Sequence, residues 1–395
     1  MKLLKQIKDL NNKRVLVRVD FNVALDKDGQ ILGDEAYKIS ATLPTIKYLI
    51  NKKAKIVLMT HIGRPKNHEK NLRTNAVAEY LAGLLKKPVK KIDAVIGPVA
   101  QKAVEALKAG EVLMLENLRF EIGEEKNDPK FAQELAKLGE VYINDGFGMA
   151  HRVAASNVAI TKLLPSYAGL LLAEEIKVLT KLKSNPKKPF LVIMGGVKFE
   201  TKLPVIQKLL PKAGAILLGG ALANTCLKAL GYGVGDSLVD NDYLAVAKKI
   251  AQNKKILLPL DFIGGDTNGG AGGYHHVIKP AKPGKLIAAP GGLLDIGPAT
   301  VAEWAKLIKK SKTIVWNGPM GAFEDRPYDH GTLSIGRLVA SRAKGPAYGV
   351  VGGGETVAAL RRTKMQEYID FISTGGGAML EFLAGKRLPG IVSLK

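Results

Sequence analysis

The chain has 395 residues, 59 of them basic and 36 acidic, for a net charge of +23, and 46% of it is hydrophobic. That much apolar material excludes a disordered chain, and Cys226, the sole cysteine, excludes a disulfide scaffold. No uncharged apolar run reaches the roughly 18 residues of a membrane span, and Lys5 and Lys8 interrupt any signal-peptide core, so a cytoplasmic protein with no membrane contact is expected.

Short β-rich runs alternate with helical patterns along the whole chain. The first half predicts strands at 14–19, 55–60, 112–115 and 141–144, with helices among them at 76–85 and 130–138. The stretch 167–183 reads as one amphipathic helix, and the polar turn-forming SNPKKP follows it. The second half predicts strands at 190–194, 215–218, 256–260, 313–316, 348–351 and 370–373, and a helix at 300–309. Alternation of this kind implies an α/β fold with parallel sheets covered by helices on both faces. The strands are too many for one small sheet, so two lobes are expected, the first at 1–168, a connecting helix at 169–183, and the second from 184. The GGYHH stretch reads as a Gly-rich loop. His275 and His276 are taken there as loop residues, because no Cys or acidic cluster sits at ligand spacing.

The positive charge is spread over both halves and forms no basic tail. The lysines fall on helix-like stretches without interleaved aromatics that stack on bases. A solvated lysine surface is the leading reading, attraction of an anionic substrate the second, and a nucleic-acid face the third. Nucleic acid is therefore not an expected partner.

Ligands of open α/β sheets sit just beyond the carboxyl ends of strands. In the first half those ends are cationic and polar. RVDFNV supplies Arg18, Asp20 and Asn22; THIGRP supplies His61 and Arg64; ENLRF supplies Arg119; NDGFGMAHR supplies His151 and Arg152. Arginines at successive strand exits point to a phosphorylated acid, because the planar guanidinium pairs two N–H donors with phosphate or carboxylate. In the second half the exits are glycine-rich: MGGVKFETK, LGGALANT, WNGPMGAFE, VGGGETVA and STGGGAML. Glycine lets main-chain N–H groups approach phosphate at a helix N-terminus, so these loops point to a nucleotide. Neither the P-loop spacing nor a G-x-G-x-x-G fingerprint occurs, which argues against a P-loop NTPase and a dinucleotide dehydrogenase. Together the halves suggest phosphoryl transfer from a nucleotide to a small phosphorylated acid. No residue reads as a general base, and a carboxylate acceptor, already ionised at neutral pH, needs none.

In order and spacing, RVDFNV, THIGRP, ENLRF, NDGFGMAHR, GGVKFETK, LPLDF, DIGP, WNGPMGAFE, GGGET and STGGGA resemble the phosphoglycerate kinases over essentially the whole chain. The resemblance implies two Rossmann-like lobes joined by a hinge helix, a monomer, and a C-terminal segment, 381–395, returning to the first lobe after a second lobe at 184–380. It implies exchange of a phosphoryl group between ATP, with Mg²⁺, and 3-phosphoglycerate, giving ADP and 1,3-bisphosphoglycerate. Asp20, Asn22, Lys38, His61, Arg64, Arg119 and Arg152 would hold the phosphoglycerate. Lys198 would bridge the transferred phosphate and Lys202 the nucleotide phosphates, with Gly196, Gly220, Asn317, Glu324, Gly353, Gly354, Glu355 and Thr356 around the nucleotide.

Three positions depart from the family's pattern. Lys38 stands where the family has a catalytic Arg, keeping the charge and losing the fork. Glu355 replaces the magnesium-binding Asp of GGGDT, one methylene longer. Ala221 takes the third place of a GGG. Lys38 and Glu355 motivate the alternative of a family-like binding protein with weak or no turnover.

Overall fold

The computed structural model describes residues 1–32, 36–265, 276–279 and 291–394. The chain divides into two compact units, Met1–Leu179 with Lys386–Lys395, and Thr180–Gly385. The fold class is the expected one: each unit carries a six-stranded parallel sheet among helices.

The first unit contains β1 (Arg14–Arg18), β2 (Lys55–Met59), β3 (Val89–Lys91), β4 (Val112–Met114), β5 (Val141–Asn144) and β6 (Ser166–Ala168). Their order is β3-β4-β2-β1-β5-β6. Val15 of β1 lies between Ile56 of β2 and Val141 of β5, and all three are buried. Strands covered on both faces read as continuous apolar runs, which is why the central ones were visible in the sequence. From β1 the chain leads one way to β2, and from β5 it leads the other way to β6. The switch point is thus between β1 and β5, and the loops leaving their carboxyl ends carry the RVDFNV and NDGFGMAHR motifs.

One correction concerns 167–183. Tyr167 and Ala168 belong to β6, which pairs with β5, and the helix is Leu170–Ser184. Gly169 makes the break: a Cβ there would lie 2.1 Å from Asp145 Oδ1. That oxygen is occupied, because it accepts from the amides of Leu171 at 3.0 Å and Leu172 at 3.2 Å and so caps the new helix. Burial pushes the Asp145 carboxyl up to about 6, against these hydrogen bonds. Within this unit the C-terminal segment is pinned by Gly390 N donating to Ala150 O at 2.9 Å.

The second unit contains β7 (Phe190–Met194), β8 (Ala215–Leu218), β9 (Ile256–Leu257), β10 (Phe262–Gly265), β11 (His276–Ile278), β12 (Gly292–Ile296), β13 (Thr313–Asn317), β14 (Tyr348–Gly352) and β15 (Phe371–Ser373). The parallel sheet runs β15-β14-β13-β7-β8-β9, with its switch point between β7 and β13. A second, antiparallel sheet, β11-β10-β12, was not expected. Its strands are three to five residues long, β10 and β12 carry glycines, and β10 shifts register against β12 at Ile263/Gly264, so no alternation marks them. The run predicted at 256–260 is a strand only at Ile256–Leu257. His276 opens β11 rather than lying in a loop, and His275 lies outside the described residues.

Among the described residues no helix is long and apolar enough to cross a membrane.

Candidate active site

In the first unit the predicted cations converge. His61, at the exit of β2, is buried. Burial first, then Arg18, Arg119, Lys38 and Arg152, push its imidazole well below the ordinary histidine range. Arg119 is lowered by burial, opposed by Glu125, and further repelled by Arg18, Arg152 and Arg64. These mutual fields link six residues from five segments of the sequence.

The loops are fixed by side chains acting on backbone. Asn22 Oδ1 accepts from Gly63 N at 2.8 Å, while Asn22 O accepts from Lys38 Nζ at 2.9 Å. Arg119 NH1 donates to Gly63 O at 2.6 Å, and its NH2 pairs with Glu125 at 2.9 Å. Asn117 clamps the same loop, donating to Ile62 O at 2.8 Å and accepting from Ile62 N at 3.2 Å. Asp20 accepts from Asn22 N at 3.4 Å, shaping the turn after β1, and remains partly exposed. Arg64 and Arg152 are exposed. Arg18 differs from the rest: it is fully buried and donates through Nε to Ser156 Oγ at 2.9 Å. Its charge at a strand exit was legible in the sequence, and its burial was not.

In the second unit Lys202 projects from the helix Phe199–Leu209 and is buried. Its Nζ donates to Asn317 Oδ1 at the end of β13, and Asn317 Nδ2 donates to Gly352 O at 2.7 Å. Burial pushes Lys202 down to about 8, with Glu355 pulling the other way. The turn into the helix Gly354–Arg362 needs glycine, because Gly353 has φ +100° and a Cβ would lie 3.1 Å from Asn317 Nδ2. The helix's first turn leaves the N–H groups of Gly354, Glu355 and Thr356 without intrahelical acceptors. Thr356 Oγ1 is used within the fold, accepting from Gly318 N at 2.7 Å.

The other glycines serve a different purpose from the one the sequence suggested. Gly195 N donates to Asn317 O at 3.0 Å, Gly196 N to Pro319 O at 2.9 Å, Gly219 N to Met194 O at 2.9 Å and Gly220 N to Met320 O at 2.8 Å. Those amides are already engaged. What the glycines allow is contact between loops: a Cβ on Gly195 would sit 1.9 Å from Pro319 O, and one on Gly219 2.7 Å from Met320 Sδ. Gly196 and Gly220 also line a cavity of about 200 Å³, with Ala221, Asn224, Leu293, Glu324 and Glu355 among its other walls. Burial, with Glu355 and Asp325 nearby, raises the Glu324 carboxyl. Asn224 donates to Leu293 O at 3.1 Å, and its Oδ1 has no partner among the described residues. Asn224 and Leu293 were missed as site residues. The available signal was an Asn on the mostly apolar helix Gly220–Ala229, while the antiparallel sheet bringing Leu293 carries no motif. Lys198 precedes the helix Phe199–Leu209 and is exposed.

Two doubly wound units, one gathering cations and the other a lysine, a free helix N-terminus and a glycine-walled cavity, define a phosphotransferase of the two-lobed α/β class. The family model for phosphoglycerate kinase matches residues 4–386. The chain is 45% identical over 392 residues to a phosphoglycerate kinase of Moorella thermoacetica, covering 98% of this chain and 97% of the relative. It is 44% identical over 398 residues to one of Thermosipho africanus, covering 98% and 96%. Among solved structures, the phosphoglycerate kinase from Coxiella burnetii matches with TM-score 0.83 and 35% identity over 99% of this chain and 98% of that one. The enzyme from Pyrococcus horikoshii OT3 matches with TM-score 0.86 and 32% identity over 100% and 98%. The chain belongs to the phosphoglycerate kinase family; it is a glycolytic kinase.

Proposed function

We propose that the chain exchanges a phosphoryl group between 1,3-bisphosphoglycerate with ADP and 3-phosphoglycerate with ATP, each unit holding one substrate. The observation that supports this division most is the convergence of Arg119, Arg152 and Lys38 on His61, with Arg64 acting on Arg119. His61, Arg64, Arg119 and Arg152 bind the phosphoglycerate anion, while Asp20 and Asn22 orient its hydroxyl. Lys38 stands beside the reacting carboxylate. In the second unit the cavity takes the nucleoside, with Glu324 at the ribose and Asn224 Oδ1 offered to a donor on the base. Gly196 and Gly220 supply wall without side chain. Lys202, held by Asn317, meets the phosphates together with the amides of Gly354, Glu355 and Thr356 after Gly353, and Lys198 reaches the transferred group. Catalysis rests on alignment and charge neutralisation, since an ionised carboxylate is already a nucleophile.

Glu355 fits Mg²⁺ in the manner of nucleotide sites, where one or two carboxylates and the substrate phosphates share the ion. Among the described residues no group of three or more His, Cys, Asp or Glu forms a self-sufficient cage. Bound with the nucleotide, Mg²⁺ neutralises phosphate charge. The protein acts as a monomer, with the helix Leu170–Ser184 as hinge, and closure excludes water from the acyl phosphate. A coupled assay with controlled Mg²⁺ tests the reading: purified protein with no ATP formation from ADP and 1,3-bisphosphoglycerate rejects it.

A further inference from the structure

Arg18 is the one cation of the first-unit cluster that is completely enclosed. An enclosed guanidinium needs partners for its donors, and here they are specific. Nε donates to Ser156 Oγ at 2.9 Å, and NH1 donates to Val19 O. NH2 lies 3.1 Å from His61 Nδ1. Ser156 is itself fixed: its Oγ donates to Glu124 Oε1 at 2.6 Å, its N donates to Glu124 Oε2 at 3.0 Å, and its O accepts from Tyr142 Oη at 2.7 Å. Glu124 lies 3.9 Å from Arg18 NH2 and is the buried counter-charge.

Guanidinium has five N–H donors, no acceptor, and stays protonated in proteins. The contact to His61 therefore has one meaning: NH2 donates and Nδ1 accepts. An imidazole whose Nδ1 accepts carries its proton on Nε2. The charged imidazolium would set N–H against N–H in an enclosed space, and Arg119, Lys38 and Arg152 oppose that charge as well.

We propose that Arg18 is a positioning residue that holds His61 as the neutral Nε2–H tautomer, so that His61 offers the substrate a hydrogen-bond donor whose strength does not vary with pH. The tautomer stands on the geometry alone, while its use toward phosphoglycerate rests on the function proposed above. The arrangement separates two tasks. Exposed Arg64 and Arg152 supply charge, while His61 supplies direction without adding a charge that changes near neutrality.

The test is ¹⁵N NMR of the full-length protein labelled at histidine, without substrate, from pH 5.5 to 8. The expected result is an unprotonated Nδ1 and a protonated Nε2 for His61 across the range. A proton on Nδ1, or titration inside this window, overturns the proposal. Arg18→Met should release the ring, giving mixed tautomers, titration, and a KM for 3-phosphoglycerate that becomes pH-dependent by on the order of tenfold, as for a lost hydrogen bond. Arg18→Lys, which keeps a cationic donor, should restore the tautomer. If Arg18→Met retains the wild-type ring signals, Arg18 is not the cause and the proposal fails; if that variant does not fold, the wild-type spectrum and Arg18→Lys still decide. The spectra need no turnover, so failure of the kinase assay and failure of this inference are separate results.

Discussion

In the first unit the groups suited to an anion are side chains, and in the second they are mostly backbone. Arg64, Arg119, Arg152 and Lys38 each bring a full charge on a flexible stem, and loops braced by Asn22 and Asn117 hold the parts in place. The second unit brings buried Lys202 and exposed Lys198, and otherwise relies on a helix end and on glycines that let loops touch. Side chains gathered this way repel one another and reward a compact anion that pairs with several of them. A backbone-lined wall carries little charge and rewards shape. The contrast suits a small phosphorylated acid on one side and a nucleotide on the other.

The sharpest way to break this comparison is to remove Lys202, the one buried cation of the second unit among the described residues. Lys202→Met should lower kcat/KM for nucleotide by about 10²–10³-fold, the cost of a positioned electrostatic donor. Steady-state kinetics at saturating 3-phosphoglycerate reads it, and a loss under tenfold would mean the amides suffice. Gly195→Ala comes next, because its Cβ would meet Pro319 O at 1.9 Å. It should cost about 2–3 kcal/mol of stability by overpacking. Gly376→Ala, whose Cβ meets nothing within 4 Å, should stay close to wild type in thermal unfolding. Equal effects at the two positions would remove the distinction between glycines for contact and glycines in open space.

Arg119→Ala should raise KM for 3-phosphoglycerate by about 10–50-fold and leave KM for ATP nearly unchanged, consistent with losing a charged hydrogen bond. A pH series sharpens the second unit. Lys202 is lowered from 10.5 to about 8. The unfolded chain therefore holds this proton between about pH 8 and 10.5 when the folded one does not, so this group's contribution to stability rises with pH across that window. Nucleotide affinity should move the other way, falling as pH rises through 8 because the ammonium is lost. Calorimetry that shows no decline would remove Lys202 from the phosphates. The smallest effect is expected from Lys38→Arg with Glu355→Asp, a change in kcat of less than about tenfold, since each swap keeps its charge. A much larger rise would mark these residues as the brake on turnover.

The fold class was legible because central parallel strands are apolar on both faces; 141–144, 190–194 and 215–218 coincide with β5, β7 and β8. What escaped was short or marginal. β3 is a half-exposed three-residue strand, β6 runs straight into Gly169 and a helix, β11 has only three residues, and β10 and β12 carry glycines and a bulge between them. The charged site residues were visible as types at strand exits. Two features depend on tertiary contact and were not: the enclosure of Arg18, and the engagement of the Gly195, Gly196, Gly219 and Gly220 amides by other backbone. A glycine-rich motif looks the same whether its N–H groups face a ligand or a neighbouring loop.

The bonds from Gly195, Gly196 and Gly220 to the end of β13 and the segment after it have a thermodynamic consequence. They join three loops into one lattice of main-chain bonds as the unit folds, so the restriction of their motion is largely complete before any nucleotide arrives. Docking then freezes little of the pocket itself, and most of the entropy lost should be the ligand's own.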